Sequence, residues 1–451
     1  MKRLPLIRCS DPQAPLAWSQ GRPISRQRYL ADVTRLAEQL PGGAHMLNLS
    51  ADRYRFAVGV GAALQRGQDN LLPPNHTPDM VERLHGLFPG TYIVGDPADS
   101  HDLHWPDLER PLGGEAAASI EFADTTLAAQ VLTSGSTGNP MPYAKSWGLL
   151  WRNTEAGVMR LAAQLGRTDL DGVSLVATVP AQHMFGFESS ILVALLGGAA
   201  FEVSRPFYPA DIAAALARIP RPRLLVTTPL HLRTLLDSGV AVPPIDLMVC
   251  ATAPLAPQLA ARAEASLGAP LMEIYGCTEA GQVATRRTTE GELWHTYDGV
   301  QLTLDAEVAI ASGGHVPQPT PLADTLEVQD ATHFRLLGRA NDLINIAGKR
   351  SSLSHLNFHL NSIEGVHDGA FWCPAGEPAG GTVRLVALVV APGVTREHIV
   401  EALRQRVDAA FLPRRIVWVD ALPRDPTGKL PSGRLAALAA TLTAADASAR
   451  G

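Results

Sequence analysis

The segment Thr133-Ser134-Gly135-Ser136-Thr137-Gly138-Asn139-Pro140 sets two glycines and four hydroxyl side chains within eight positions. A loop of that composition offers many backbone N–H and hydroxyl donors and can wrap a polyphosphate. It lacks the Gly-Lys-Ser/Thr ending of a Walker loop, and it is not a Gly-x-Ser-x-Gly nucleophile elbow. Further along, Tyr275-Gly276-Cys277-Thr278-Glu279 closes an apolar, strand-like run. Glu279 can hold a magnesium ion bound to phosphate oxygens, and Thr278 can donate to an α-phosphate. Cys277 has no base in its sequence context, so it reads as a small buried residue rather than a nucleophile. Taken alone, the first segment is equally a hydroxyl-rich surface turn, and the second a turn with a solvated acid.

Lysine use narrows the choice. Among 38 basic residues only Lys2, Lys145, Lys349 and Lys429 are lysine. Apart from Lys2, each stands beside a glycine-rich or turn motif. An ammonium is a compact, mobile point charge, whereas guanidinium is a rigid fork. Lys429 ends the turn-forming run Leu422-Pro423-Arg424-Asp425-Pro426-Thr427-Gly428-Lys429. A lone His183 lies in Pro180-Ala181-Gln182-His183-Met184-Phe185-Gly186. His355 and His359 share a helix face but lack a third ligand, which reads as a solvated face and not a metal site.

These residues must be positioned by a large scaffold. The chain has 451 residues, 46% hydrophobic and 18% charged, with a net charge of −6. That length implies two or more domains, and the absent basic excess argues against a nucleic-acid partner. The basic start, residues 1–10, has no long apolar core behind it, so no secretory signal is expected. The longest apolar stretch, Ile191–Phe201, is far short of a membrane span. Four scattered cysteines show neither metal spacing nor a disulfide framework, and a reducing cytoplasm is expected.

Apolar runs at His45–Ser50, Tyr92–Asp96, Ala128–Thr133, Val173–Val179, Leu224–Thr228, Asp246–Ala251 and Leu271–Tyr275 read as strands. They alternate with helical stretches at Ser25–Leu40, Ala51–Gln65, Ala144–Leu165, Phe187–Leu196, Pro209–Ala217 and Pro257–Leu267. Short, wholly apolar strands between helices imply sheets covered on both faces. From Gln301 the pattern becomes short alternating strands. After the polar break at Arg339–Asp342, a small α+β unit follows to about Leu442, and the tail from Thr443 is expected to fray. The fold class is therefore α/β: a large N-terminal domain of helix-covered sheets plus a small β-barrel-like part, then a small α+β domain. The expected division is 1–338, a hinge at 339–342, and 343–451.

The Thr133–Pro140 loop, the Tyr275–Glu279 motif, Gly338-Arg339 and the Leu422–Lys429 run occur in an order that resembles the adenylate-forming superfamily. That family comprises acyl- and aryl-CoA synthetases, adenylation domains of peptide synthetases, and luciferases, and the resemblance covers roughly residues 45 to 435. It implies an enzyme that uses ATP and Mg²⁺ to make an acyl-AMP, then passes the acyl group to CoA or a phosphopantetheinyl carrier protein. It also implies roles. Thr133, Ser134, Gly135, Ser136, Thr137 and Gly138 would hold the β- and γ-phosphates. Glu279 would help hold Mg²⁺, and Thr278 would touch the α-phosphate. Asp324, fourteen residues before Gly338, would bind the ribose hydroxyls, and Arg339 would contact ribose and phosphate. Ala253 and Pro254, in the Ala251–Leu255 turn, would lie beside the adenine slot, and Tyr275 and Gly276 would also belong to the ATP site. His183, Phe185 and Gly186 would gate the acyl pocket. Lys429, on a mobile C-terminal domain, would bridge the carboxylate and the α-phosphate. Asn341 would be the hinge, where the family carries Asp or Lys, and Gly348 would open the thiol path.

Two departures stand out. Met141 replaces the lysine that follows proline in the family's phosphate loop, so Lys145 is expected to substitute at the phosphates or act at the following helix. The Ser354–Asn357 stretch also differs from the family pattern. The variant loop and compact length are similar to ligases of aryl polyene and xanthomonadin-type pigment pathways, which implies an aryl acid such as a hydroxybenzoate. The alternatives are a fatty acyl-CoA or acyl-carrier ligase, and a non-catalytic adenylate-fold binding protein.

Overall fold

A computed structural model of the protein describes residues 2–8, 10–95, 103–104, 119–133, 141–252, 254–306, 308–339, 343–346, 349–374, 385–424 and 430–448. Its largest sheet has eleven strands. The strands Ser174–Ala177, Arg223–Thr227, Leu247–Cys250 and Leu271–Cys277 lie parallel and side by side. Leu175, Val176, Leu224, Leu225, Val226, Leu247, Met248 and Val249 are all fully buried. Such strands need helices on both faces, and the flanking apolar clusters supply them. Beyond Leu271–Cys277 the sheet turns antiparallel through Gly281–Arg286, Trp294–Thr296, His333–Arg339 and Asp324–Val328.

A second sheet of six strands is ordered Met141–Ser146, Leu127–Thr133, Asp69–Leu72, His45–Asn48, Thr91–Gly95, Leu103–His104. A three-stranded meander, Gln301–Asp305, Val308–Gly313 and Val316–Pro321, corresponds to the β-barrel-like part. After it come a hairpin, Leu343–Ile346 with Lys349–Ser352, and a three-stranded sheet of Asp368–Trp372, Val386–Val390 and Arg415–Trp418. These later elements close their own apolar clusters.

Helix starts follow from short polar side chains that accept orphan backbone N–H groups. Ser25 caps Arg26–Gln39, Asp52 caps Arg53–Gln65, Thr228 caps Pro229–Asp237 and Ser352 caps Leu353–Asn361.

Two expectations need correction. The hydroxyl-rich loop was expected to lead straight into a helix from Ala144, but it joins two antiparallel strands, Leu127–Thr133 and Met141–Ser146. The helix begins only at Trp147, where Ser146 Oγ accepts from Leu149 N. From Thr443 to Ser448 the described backbone is helical. Its alanine-rich sequence, strong in helix propensity, continues the Ser432–Ser448 helix.

Candidate functional site

Parallel sheets bind ligands at the carboxyl ends of their strands. At that edge, Leu271–Cys277 leads into the three-residue turn Thr278-Glu279-Ala280 and returns as Gly281–Arg286, with Cys277 opposite Gly281. Gly281 has φ +80°, the left-handed position that a three-residue hairpin loop needs after its turn. Gly276 is held by contact instead: a Cβ there would stand 2.3 Å from the Gly281 carbonyl oxygen. The turn thus lifts Glu279 into solvent with Thr278 half-buried beside it.

Lys145 grips this turn from the neighbouring sheet. It is 5% exposed, and its Nζ donates to the Glu279 carbonyl oxygen at 3.0 Å. Burial lowers its pKa, against the fields of Glu188, Cys277 and Glu279. Burial also pushes the Cys277 thiol up to about 12, opposed by the bond it accepts from Ala280 N. A thiol that stays protonated is a poor nucleophile.

Tyr275 joins the turn to the antiparallel end of the sheet. Its hydroxyl donates to Asp324 Oδ2 at 2.8 Å, and its ring packs edge-on against Trp294 and Phe334. Across the hairpin, Asp324 pairs in register with Arg339. The fifteen-residue spacing of Asp324 and Arg339 therefore places the acid and the arginine on adjacent strands, directly opposite each other.

Beside them lies the Ala251–Leu255 turn. Thr252 adopts φ +76°, an outlier for a β-branched residue. The buried carboxylate of Glu273 fixes the turn, accepting from Leu255 N at 2.9 Å while Arg286 and Thr288 donate to its other oxygen.

The Pro180–Gly186 segment follows the strand Ser174–Ala177. His183 is half-buried at the start of a helical run, and Phe185 is packed in the main core. A Cβ on Gly186 would lie 2.0 Å from the Pro180 carbonyl oxygen, so only glycine fits. The guanidinium of Arg53, 1% exposed, secures the segment by donating to the carbonyls of Ala177 and Val179 and to Ser190 Oγ. Burial lowers its pKa to about 10.

Ser134, Gly135, Ser136, Thr137, Gly138, Ala253, Asn341, Gly348 and Lys429 lie outside the described residues; for Thr133 and Arg339 only the backbone is described. The chain just ahead of the Lys429 segment is anchored. Arg424 donates twice to Asp368, each at 2.7 Å, and Arg233 of the large unit stands 3.9 Å from the same carboxylate. Lys349 pairs with Asp408.

Among the described residues no three His, Cys, Asp or Glu side chains cluster as a metal site. Magnesium takes one or two carboxylates and completes its shell with water and substrate phosphates. Glu279, an exposed hard-oxygen ligand on a gripped turn, fits such a role. Four residues escaped the sequence reading as site elements: Arg53, Glu188, Glu273 and Arg286. The signal for Glu188 and Glu273 was a single charge inside a largely apolar run; Arg53, between Asp52 and Arg55, carried none. No helix among the described residues is long and apolar enough to cross a membrane.

The family model for AMP-binding enzymes matches residues 54–328. A 4-coumarate–CoA ligase of Rhodobacter capsulatus is 30% identical over 307 residues, covering 66% of this chain and 73% of that protein. One from Halorhodospira halophila is 30% identical over 335 residues, covering 71% and 79%. ATP-bound MatB from Rhodopseudomonas palustris superposes with a TM-score of 0.78 at 18% identity, covering 96% of this chain and 97% of that one, a likeness of fold. The family match spans more than half of the chain and overlaps the strand-edge turn, the Tyr275–Asp324 pair and the Pro180–Gly186 segment, so the chain belongs to the AMP-binding enzymes of the adenylate-forming superfamily.

Proposed function

We propose that this enzyme activates a carboxylic acid with ATP as an acyl-AMP and then transfers the acyl group to the thiol of CoA or of a phosphopantetheinyl carrier protein. The observation that carries the reading is the Thr278–Glu279 turn, gripped by Lys145 and linked through Tyr275 to Asp324. This supports the reading because one turn carries a hydroxyl donor, Thr278, and an exposed acid, Glu279, and Tyr275 ties a second acid, Asp324, to the same strand.

In the first half-reaction a carboxylate oxygen attacks the α-phosphorus and pyrophosphate leaves in line. Two anions must meet, so catalysis is chiefly positioning and charge compensation. Asp324 accepts the ribose hydroxyls, Tyr275 and the Ala251–Leu255 turn flank the adenine, and Thr278 donates to the α-phosphate. Magnesium, held by Glu279, would neutralise charge on the phosphate oxygens. The ammonium of Lys429 comes down between carboxylate and α-phosphate. The unit from residue 343 then turns about Asn341 and presents Gly348 to the thiol.

The acid is an aryl acid such as a hydroxybenzoate, with His183 at the pocket mouth. The 4-coumarate named for both relatives is such an acid, and the variant phosphate loop favours an aryl-acid-loading step of pigment assembly. The test is acid-dependent ATP–pyrophosphate exchange over a panel of aryl and aliphatic acids. Aryl acids should support exchange. Exchange with fatty acids alone would overturn the substrate class, and none with any acid would make the protein a binding module. Thioester formation on CoA against a pantetheinylated carrier then identifies the acceptor.

A further inference from the structure

Glu188 is 4% exposed and sits in the helical run that opens at the Pro180–Gly186 segment. Its backbone belongs to a π-helical stretch, Phe187–Leu192. Such turns are rare and recur at functional sites. Asn153 Nδ2 donates to Glu188 Oε1, while Asn153 Oδ1 accepts from Gln282 N at 3.1 Å. Gln282 directly follows Gly281, the residue that closes the Thr278–Ala280 turn. The chain of contacts Glu188–Asn153–Gln282 therefore holds the returning side of that turn, and Lys145 holds its tip through the Glu279 carbonyl.

Space is tight as well. A Cβ on Gly281 would lie 3.1 Å from Asn153 Oδ1 and 3.4 Å from Glu188 Oε1. Lys145 and Glu188 are both buried and, without a direct ion pair between them, each favours the ionised form of the other. Two opposite charges buried in a largely apolar interior are a costly way to gain stability and a more credible way to fix one geometry.

We propose that Glu188 is a positioning residue: with Lys145 and Asn153 it forms a buried charged strut that sets the Thr278–Glu279 turn for the magnesium nucleotide and ties it to the helix of the acid pocket. The strut links three segments far apart in sequence, namely the strand after the phosphate loop, the acid-pocket helix and the metal-binding turn. It rests on the proposed function for the identity of the ligand at the turn.

The experiment compares full-length wild type with K145M, E188Q and the double variant K145M/E188Q. It measures thermal midpoint, MgATP affinity by calorimetry, and the separate KM values for MgATP and acid in pyrophosphate exchange. At pH 8, where Glu188 is ionised, each single variant strands one buried charge and should melt earlier, whereas the double variant strands none and should recover most of the loss. Despite that recovery, the double variant should bind MgATP about tenfold more weakly and show a matching rise in MgATP KM with acid KM unchanged. MgATP affinity within twofold of wild type in the recovered double variant would overturn the strut, leaving the pair purely structural. Wild-type protein that binds MgATP but exchanges with no acid would sink the proposed function instead, and the calorimetric comparison would still decide the strut.

Discussion

Tyr275 and Asp324, forty-nine positions apart, are joined by a hydrogen bond of 2.8 Å from phenol to carboxylate. The bond orients one oxygen of the Asp324 carboxylate. In the proposed site it would couple the adenine side to the ribose side. Replacing Tyr275 with phenylalanine keeps the ring against Trp294 and Phe334 and removes only the donor. A hydrogen bond to a charged group contributes about 1.5–3 kcal/mol. Y275F should therefore weaken ATP binding roughly ten- to hundredfold with little change in acid KM, as read from exchange kinetics. Unchanged ATP KM would refute the link.

The two half-reactions should separate by mutation. Removing the ammonium in K429A should cost about 3 kcal/mol of transition-state stabilisation, at least a hundredfold in acyl-AMP formation, with ATP still bound. G348L should leave acyl-AMP formation intact and block thioester formation. Single-turnover assays of each step, with radiolabelled ATP and then with thiol, distinguish the outcomes. Intact adenylation in K429A would remove Lys429 from the chemistry.

Thr252 holds a left-handed backbone, φ +76°, beside the expected adenine slot. Glycine adopts that conformation without the steric penalty but loses more entropy on folding. T252G should gain a net stability of about 0.5–1 kcal/mol and raise the thermal midpoint. ATP KM should rise because the turn relaxes. A lower midpoint would show that the strain is not held there.

Acid should destabilise the protein through buried histidines. Burial lowers His76, His231 and His359 to about 4, assisted by Arg205 at the first two and by His355 and Arg406 at the third. An unfolded histidine titrates near 6.5. Above that pH neither state is charged. Between roughly 6.5 and 4 the unfolded chain takes up protons that the folded chain refuses, so stability falls as pH drops. Glu188 has the opposite sign. Burial pushes it up to about 7, against Lys145 and the bonds from Asn153 and Gln282, so its contribution is lost as pH rises from about 4.5 through 7. Thermal midpoints from pH 7.5 to 5 should fall less steeply in H231Q and more steeply in E188Q. Parallel profiles for all three proteins would contradict these assignments.

Much of the scaffold was legible because its central strands are apolar throughout, and wholly apolar tetrads such as Leu247–Cys250 have few alternatives. The strand Met141–Ser146 was missed for the converse reason. It lies at a sheet edge with mostly exposed side chains, so it carries no apolar signature, and its length was absorbed into the helix that follows. Within the candidate site, Thr278 and Glu279 were singled out by residue type, and Asp324 only through the family resemblance. Glu188, Glu273 and Arg53 were not, because their importance lies in partners that only the fold brings near: Asn153 for Glu188, Leu255 N for Glu273, and the Ala177 and Val179 carbonyls for Arg53.

Gly338 has φ +130°, and a Cβ there would stand 2.0 Å from Ser352 Oγ. That hydroxyl donates to the Leu337 carbonyl and accepts from His355 N, starting the Leu353–Asn361 helix. The glycine of the Gly-Arg pair is thus shaped by the chain that comes after it. Any graft that exchanges the C-terminal part of this enzyme for a homologue's crosses that seam. The donor must bring a small hydroxyl residue at position 352, or the recipient's His333–Arg339 strand will be pushed out of line by its new neighbour.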